Sequence, residues 1–167
     1  MKEIFERRSI RKYIDKPVDD EDIQKLLRAG MYAPSAGNEH PWHFVVVKNR
    51  ETLHKIPAFH PYTSMLNEAP LAIVVCGDTS NLKYDGMFWI QDIAACVQNI
   101  LLEGQHLGLG TCWCGVYPRE ELIKGVSELL NLPDHIKPVA IVAVGHPAEE
   151  REVKERYKED RVHYELW

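Results

Sequence analysis

The chain has few cysteines, no long hydrophobic run and no excess of positive charge. Its 167 residues contain four cysteines, too few for a disulfide scaffold in a chain of this length. No apolar run approaches the ~20 residues that cross a bilayer, and the mixed charges of residues 1–6 do not resemble a signal peptide. A net charge of -5 argues against nucleic-acid binding. We therefore expect one cytoplasmic domain, residues 1–167, with reduced and buried thiols.

The sequence also lacks common motifs of catalytic and metal sites. Gly108-Leu109-Gly110 follows a predicted helix and precedes a predicted strand, the reverse of the order in dinucleotide-binding folds. Cys112 and Cys114 are separated by one residue, not by the two of zinc and redox motifs, so in a strand they share a face. Ser9 and Ser35 have no nucleophile-elbow context. We expect no metal site and no side chain that carries out the chemistry itself.

Positive charge is concentrated near the start of this acidic chain. Arg7, Arg8 and Arg11 lie within five residues, with Ser9 between them. Guanidinium groups bind phosphate or carboxylate through paired hydrogen bonds, and a serine hydroxyl adds a donor. The cluster therefore predicts a small phosphorylated ligand. Two alternatives remain open: Arg7 and Arg8 complement the negative end of a short helix, or the arginines form surface ion pairs with the many acids.

The hydrophobic pattern predicts helices together with a few strands. Asp19 is a good N-cap and Pro34 a stop, so a helix lies between them. Residues 85–107 are apolar over much of the helical circumference, which predicts the longest helix, buried in the core or at a subunit interface. Shorter helices are expected at residues 2–8, 51–56 and 119–130, and strands at residues 42–47, 71–76, 111–116 and 139–144. Because this order is neither strictly βαβ nor all-β, it predicts an α+β layer fold.

A donor-rich loop is the second candidate for ligand binding. Residues 34–38 combine small side chains with hydroxyl and amide groups. Together with the arginine cluster and the nearby aromatic residues, such a loop suits a cofactor whose own ring carries out the reaction. This would explain why the chain contains no evident catalytic acid, base or nucleophile.

The chain resembles the nitroreductase family of FMN-dependent oxidoreductases. The resemblance rests on segments that follow the family's order and extend over nearly the whole chain. They are residues 7–11, 33–38, 41–44, 108–113 and 145–147, followed by the basic pair Lys154 and Arg156. Each segment is weak evidence by itself, and together they are a strong signal.

The resemblance implies a role for each matching basic residue. Arg7 and Ser9 would contact the FMN phosphate and ribityl chain, with Arg8 close by. Lys154 and Arg156 would close on the phosphate from the other end of the chain. These implied roles favour the phosphate interpretation of the arginine cluster.

The resemblance also implies contacts to the flavin ring. Arg11 would lie near its pyrimidine edge and support the reduced state electrostatically. Cys114 and Gly115 occupy the position whose backbone N–H approaches flavin N5, although many relatives have no thiol at the first of these. The loop residues implied to reach the flavin across a dimer interface are Pro34, Ser35, Ala36 and Asn38.

The fold and activity implied are those of the family. We expect a three-layer fold with a mostly antiparallel central sheet, in a homodimer that exchanges a C-terminal arm, residues 148–167. The activity would be hydride transfer from NADH or NADPH to flavin N5, followed by reduction of a nitroaromatic, quinone or similar acceptor in a ping-pong mechanism. A flavin store or sensor, and specialised chemistry such as dehalogenation or flavin fragmentation, are the alternatives.

The substrate pocket is expected to be shallow. Many relatives have an extra helical excursion between the second and third strands that covers the flavin, and residues 81–85 leave no room for one. We expect Phe59, His60 or Tyr62 to rim the pocket instead.

Overall fold

A four-stranded sheet forms the centre of the computed structural model, which describes residues 1–167. The strands are β1 (Trp42–Val47), β2 (Leu71–Asp78), β3 (Gly110–Gly115) and β4 (Ile136–Gly145). Their order across the sheet is β1-β2-β4-β3, and all neighbouring strands are antiparallel. The two strands with the longest apolar runs, β2 and β4, therefore lie inside, and β3 forms an edge.

Helices cover both faces of this sheet. They are α1 (Glu3–Glu6), α2 (Asp20–Met31), α3 (Arg50–Lys55), α4 (Trp89–His106) and α5 (Glu120–Leu130). Local chemistry sets several of the ends. The Asn49 side chain accepts a hydrogen bond from the Thr52 backbone N–H at 2.9 Å and caps α3. Asn131 ends α5 in a left-handed conformation, with φ of 51°.

Two apolar clusters form the core, one on each face of the sheet. Alternate residues of β2 divide between them, because neighbouring strand side chains point to opposite faces. Ile73 and Val75 pack with α2 and α4, whereas Ala72 and Val74 face α5 and the turns that follow α3. Helix, sheet and helix thus form three layers, and the predicted α+β fold with an antiparallel sheet is confirmed.

The longest helix begins later in the chain than its sequence suggests. It begins at Trp89, whereas the hydrophobic pattern predicted a start at Asp85. Asp85 and Gly86 have φ of 54° and 70°, so the chain makes a tight turn there before the helix starts. The four predicted strands were located correctly, with ends that shift by up to three residues.

The C-terminal segment leaves the layered body. Every residue from Arg151 to Trp167 is exposed, and only a short turn at Glu159–Arg161 is regular. The side chain of Trp167 is fully exposed. None of the helices is long and apolar enough to cross a membrane.

Candidate functional site

The arginine segment runs along the outer edge of β3. Ser9 forms a parallel bridge with Thr111, and the Ile10 backbone N–H donates to the Thr111 carbonyl at 3.0 Å. Gly110 permits this close approach, because a Cβ there would lie 2.7 Å from the Ile10 side chain. The bridge places residues 7–11 beside Cys112 and Cys114.

A cleft of about 440 Å³ opens where this segment meets β3. Its lining residues are Arg11, Pro61, Tyr62, Ser64, Met65, Cys112, Trp113, Cys114 and Gly115. A Cβ built on Gly115 would meet no atom within 4 Å, so the backbone at the end of β3 faces open space. A flat ligand can therefore approach the main chain there.

The arginines of residues 7–11, and Arg156, have no acidic partners. No carboxylate oxygen lies within 4.0 Å of a side-chain nitrogen of Arg7, Arg8, Arg11 or Arg156. Surface ion pairing, one of the two alternatives for the cluster, is therefore wrong. The protein concentrates positive charge without neutralising it, which is the electrostatic requirement of an anion site.

Arg8 has a different position from its neighbours. Its guanidinium donates to the carbonyl oxygens of Phe5 at 2.8 Å, Arg7 at 2.7 Å and Glu152 at 3.1 Å. The carbonyls of Phe5 and Arg7 belong to the end of α1, so the helix-terminus alternative describes Arg8 but not Arg7. The remaining nitrogen, Arg8 Nη2, is buried without a hydrogen-bond partner. An orphaned buried donor of this kind is costly unless a ligand or solvent satisfies it.

The chain's end brings one further arginine to the site. Burial, followed by the positive charges of Arg156 and Arg8, lowers the pKa of the Arg7 guanidinium. Arg156 is therefore near enough to Arg7 for its charge to act there. Lys154 instead contacts Glu152, with Nζ 3.4 Å from Oε2. The structure thus brings together one residue of the predicted late basic pair.

Two contacts secure the crossing of the chain's end over the arginine segment. Glu149 Oε1 accepts a hydrogen bond from the Arg11 backbone N–H at 2.7 Å. The Ala148 backbone N–H donates to the Lys12 carbonyl at 2.9 Å. The carboxylate thus binds the main chain of Arg11 and leaves its guanidinium free for the cleft.

The two thiols of β3 have opposite electrostatic environments. The neighbouring Cys114 is the main cause that lowers the pKa of Cys112 to about 7, and the Arg11 charge and the Ser9 hydroxyl add to it against the effect of burial. The neighbouring Cys112 and burial raise the pKa of Cys114. Cys114 Sγ donates to the Tyr62 carbonyl at 3.4 Å, which keeps its proton in place. All four cysteines are free and buried, as predicted.

His60 supports the end of β3 from beneath. Its Nε2 lies 2.9 Å from the Gly115 carbonyl, and the Tyr62 backbone N–H donates to its Nδ1 at 3.4 Å. Nδ1 is thus the acceptor and Nε2 the donor, which fixes the neutral tautomer. The expectation that His60 rims the pocket is wrong, because it is buried behind Gly115. Tyr62 does line the cleft, and Phe59 packs on Gly125 of α5.

The predicted loop at residues 34–38 lies at the start of α4. Its Ala36 backbone N–H donates to Asp92 Oδ1 at 3.0 Å, and its Gly37 carbonyl accepts from Lys83 Nζ at 2.6 Å. Ser35 Oγ and Asn38 Oδ1 both bond His40, and Pro34 is exposed. No residue of this loop lines the cleft of its own chain. Asp92 Oδ2 is buried and has no partner.

No sequence pattern pointed to Asp92 as part of the site, and His60 was expected only at the rim of the pocket. His60 lies in an irregular connection, and Asp92 is the single acid in the first turn of an apolar helix. Their importance depends on contacts with residues 55 and 56 positions away along the chain. Only the tertiary structure shows these contacts.

The fold and the cleft together define an α+β protein with an unneutralised cationic site at the edge of an antiparallel sheet. The sequence pattern of the nitroreductase family matches residues 4–60 and 58–146. The chain belongs to the nitroreductase family. A Methanothermobacter thermautotrophicus protein, provisionally named NADH dehydrogenase/NAD(P)H nitroreductase, is 49% identical over 161 residues, which are 96% of this chain and 84% of that protein.

Solved structures agree with this assignment. A Bacteroides thetaiotaomicron protein with the same provisional name superposes with a TM-score of 0.94 at 41% identity, over 99% of this chain and 96% of the other. A provisionally identified nitroreductase from Desulfovibrio desulfuricans, solved in complex with FMN, has a TM-score of 0.84 at 31% identity, over 99% and 96% of the two chains.

Proposed function

We propose that the protein is an FMN-dependent NAD(P)H oxidoreductase and that its cleft holds the cofactor. One observation carries the proposal. Arg11 lines an open cleft, Arg7 and Ser9 lie on the same segment, and neither arginine has an acidic partner in a chain of net charge -5. The family membership supports an NAD(P)H-dependent oxidoreductase, and the D. desulfuricans relative was solved with FMN.

The basic residues next to the cleft fit the phosphate end of FMN. Arg7, Ser9 and Arg156 would hold the phosphate and ribityl chain, because guanidinium groups pair with phosphate oxygens and the hydroxyl adds a donor. Arg8 would add a further donor to the phosphate through its unpartnered Nη2. Lys154 would also bind the phosphate, as its motif implies, although its ammonium contacts Glu152 in this structure.

The residues at the end of β3 fit the ring. Cys114 and Gly115 would present their backbone toward flavin N5, and the His60 hydrogen bond fixes that backbone. Arg11 would lie at the pyrimidine edge, where a fixed positive charge favours the reduced form. When bound, FMN would supply hydride acceptance at N5 and electron transfer to a nitroaromatic, quinone or similar acceptor, in a ping-pong cycle. No side chain needs to act as an acid or base in that transfer.

We propose a homodimer with two such sites. Residues Pro34, Ser35, Ala36 and Asn38 do not line the cleft of their own chain, so they would reach the partner's flavin. The arm from residue 148 onward would lie on the partner, because its apolar side chains have nothing to bury against here. The exposed apolar residues of the arm are Val153, Tyr157, Val162, Tyr164, Leu166 and Trp167.

Spectroscopy of the purified protein tests this function. A yellow protein, or a colourless one that binds added FMN tightly, is expected. Anaerobic NADH and NADPH should then bleach the bound flavin rapidly, whereas slow bleaching would favour a flavin store or sensor. A protein that cannot be reconstituted with FMN would refute the proposal. Oxidants tested on the reduced enzyme, with product analysis, would identify the acceptor and would detect dehalogenation or flavin fragmentation.

A further inference from the structure

Two thiols share the cleft with the arginines. Cys112 and Cys114 lie on the same face of β3, and both line the cleft next to Arg11. The other two cysteines are elsewhere, Cys76 on β2 and Cys96 on α4, and they are completely buried. The pair is therefore the only place in the chain where two cysteine thiols face the same cavity. Nothing in hydride transfer by a flavin requires them.

The surroundings give the two sulfur atoms different roles. The segment that carries Arg7, Ser9 and Arg11 bridges β3 at Thr111, next to Cys112, and no carboxylate pairs with these arginines. Such positive and donor-rich surroundings favour a thiolate, which is the nucleophilic form of cysteine. Cys114 instead donates its S–H to the Tyr62 carbonyl, and its sulfur lies 3.9 Å from Met65 Sδ. One sulfur is thus prepared to attack, and the other remains a thiol beside it.

We propose that Cys112 and Cys114 form a site of thiol oxidation within the cofactor cleft, with Cys112 as the sulfur that a hydroperoxide oxidises and Cys114 as the resolving thiol. The Cys112 thiolate attacks one peroxide oxygen, so that an S–O bond forms, the O–O bond breaks and hydroxide leaves. The sulfur is oxidised to sulfenic acid and the peroxide is reduced. Cys114 then attacks that sulfur: the S–S bond forms, the S–O bond breaks, and the departing hydroxide takes the Cys114 proton as water.

The disulfide requires β3 to bend, because the two Cβ atoms must come within about 3.5–4.5 Å of each other. Two residues of a strand rise by about 6.4–6.8 Å, whereas the Cα atoms of a disulfide usually lie about 4.4–6.8 Å apart. A modest bend of β3 would shorten the distance. β3 is an edge strand that pairs along its length only with β4, so such a bend disturbs one ladder.

Bound FMN should shield the pair, and this part of the inference rests on the proposed function. A ring placed against Gly115 and Arg11 covers the same cleft that leads to Cys112. Oxidation is therefore expected mainly in the cofactor-free protein. The thiol chemistry itself depends only on residues of this chain.

The test uses the full-length protein, freed of flavin, treated with hydrogen peroxide and analysed by peptide mass spectrometry. We expect the peptide that contains both thiols to lose two hydrogens. Cys76 and Cys96 are internal controls, because burial raises the pKa of each to about 12. Cys112 should react at least about tenfold faster than either control, since the thiolate is the reactive form. Equal rates, or an unoxidised Cys112, would overturn the proposal.

Two variants separate the roles of the pair. In Cys114→Ser, oxidation should stop at sulfenic acid on Cys112, detectable by dimedone trapping. In Cys112→Ser, the remaining thiol should stay reduced, so its oxidation at the wild-type rate would contradict the assigned order. Should either variant misfold, the sites oxidised in the wild-type protein still decide the question.

A parallel experiment with added FMN distinguishes this inference from the proposed function. Flavin fluorescence measures binding, and peroxide is then added to the FMN-saturated protein. We expect oxidation to slow by about tenfold or more when the site is filled. FMN that binds without slowing the oxidation would refute the shared cleft. FMN that does not bind would refute the proposed function, while the results on the cofactor-free protein would still decide the thiol proposal.

Discussion

His60 Nε2 donates a hydrogen bond to the Gly115 carbonyl at 2.9 Å and so connects a buried turn to the end of β3. The two residues are 55 positions apart in the chain. The bond fixes the backbone on which we place the flavin ring. It also explains why a buried histidine is found beneath an exposed glycine.

Replacing His60 should loosen this end of the strand. His60→Leu leaves the Gly115 carbonyl without its donor, and the loss of such a hydrogen bond costs about 0.5–1.5 kcal/mol. We expect a lower urea midpoint and weaker FMN binding. His60→Gln, which retains a donor, should recover part of both. Equal FMN affinity in the Leu and Gln variants would show that the hydrogen bond does not position the site.

The arginine cluster should control cofactor affinity. Arg7→Ala combined with Ser9→Ala removes hydrogen bonds to a charged group that contribute about 1.5–3 kcal/mol each. FMN affinity should fall by about 100-fold or more, as measured by flavin fluorescence, with the fold retained by circular dichroism. Arg28→Ala is the matched control, since this arginine of α2 is exposed and lies outside the cleft. Unchanged FMN affinity in the double variant would refute the phosphate assignment.

Asp92 should act on the cofactor through the loop that it holds. Its Oδ1 accepts from the Ala36 backbone N–H at 3.0 Å. Asp92→Ala releases the loop, and we expect FMN affinity to fall by about tenfold, corresponding to about 1.4 kcal/mol. Asp92→Asn keeps an acceptor oxygen and should bind FMN nearly as well as the wild type. A similar loss in both variants would mean that the charge, not the hydrogen bond, matters.

The reactivity of Cys112 should depend on pH near neutrality. The neighbouring Cys114, the Arg11 charge and the Ser9 hydroxyl lower its pKa from 9.0 to about 7. A lowered pKa means that the thiolate population rises as pH passes upward through about 7. The alkylation rate of the cofactor-free protein should therefore rise about tenfold from pH 6 to pH 8. Arg11→Gln should move the midpoint to higher pH, and an unmoved midpoint would exclude that charge as a cause.

Removal of the arm should separate folding from assembly. Residues 151–167 are exposed throughout, so a chain ending at Glu150 should keep its layered core and its thermal transition. It should sediment as a monomer and bind FMN weakly, because the partner's loop and Arg156 are lost. Trp167→Ala with Tyr164→Ala tests the arm without shortening it. A truncated chain that remains dimeric would contradict the proposed exchange.

Local elements were the most predictable part of the fold. The strand at Trp42–Val47 was predicted at its observed ends, because its flanking turns and its apolar run coincide. The start of the longest helix was misplaced, because the Asp85-Gly86 pair, an Asp-Gly turn signal, was counted as part of the helix. Short-range patterns record propensity, whereas helix starts depend on the local backbone path.

The sequence by itself determined the chemistry available to this protein: a cluster of arginines around Ser9, four reduced thiols and the segments of the nitroreductase family. Only the tertiary structure decided which partners each of these groups contacts and which groups remain unpaired. It directs Arg8 to main-chain carbonyls and leaves Arg7 and Arg11 unpaired. It also places His60 under Gly115 and makes Cys112 and Cys114 unlike each other. The physical reason is that pairing, burial and charge depend on neighbours distant in the chain, and only the folded chain brings those neighbours together.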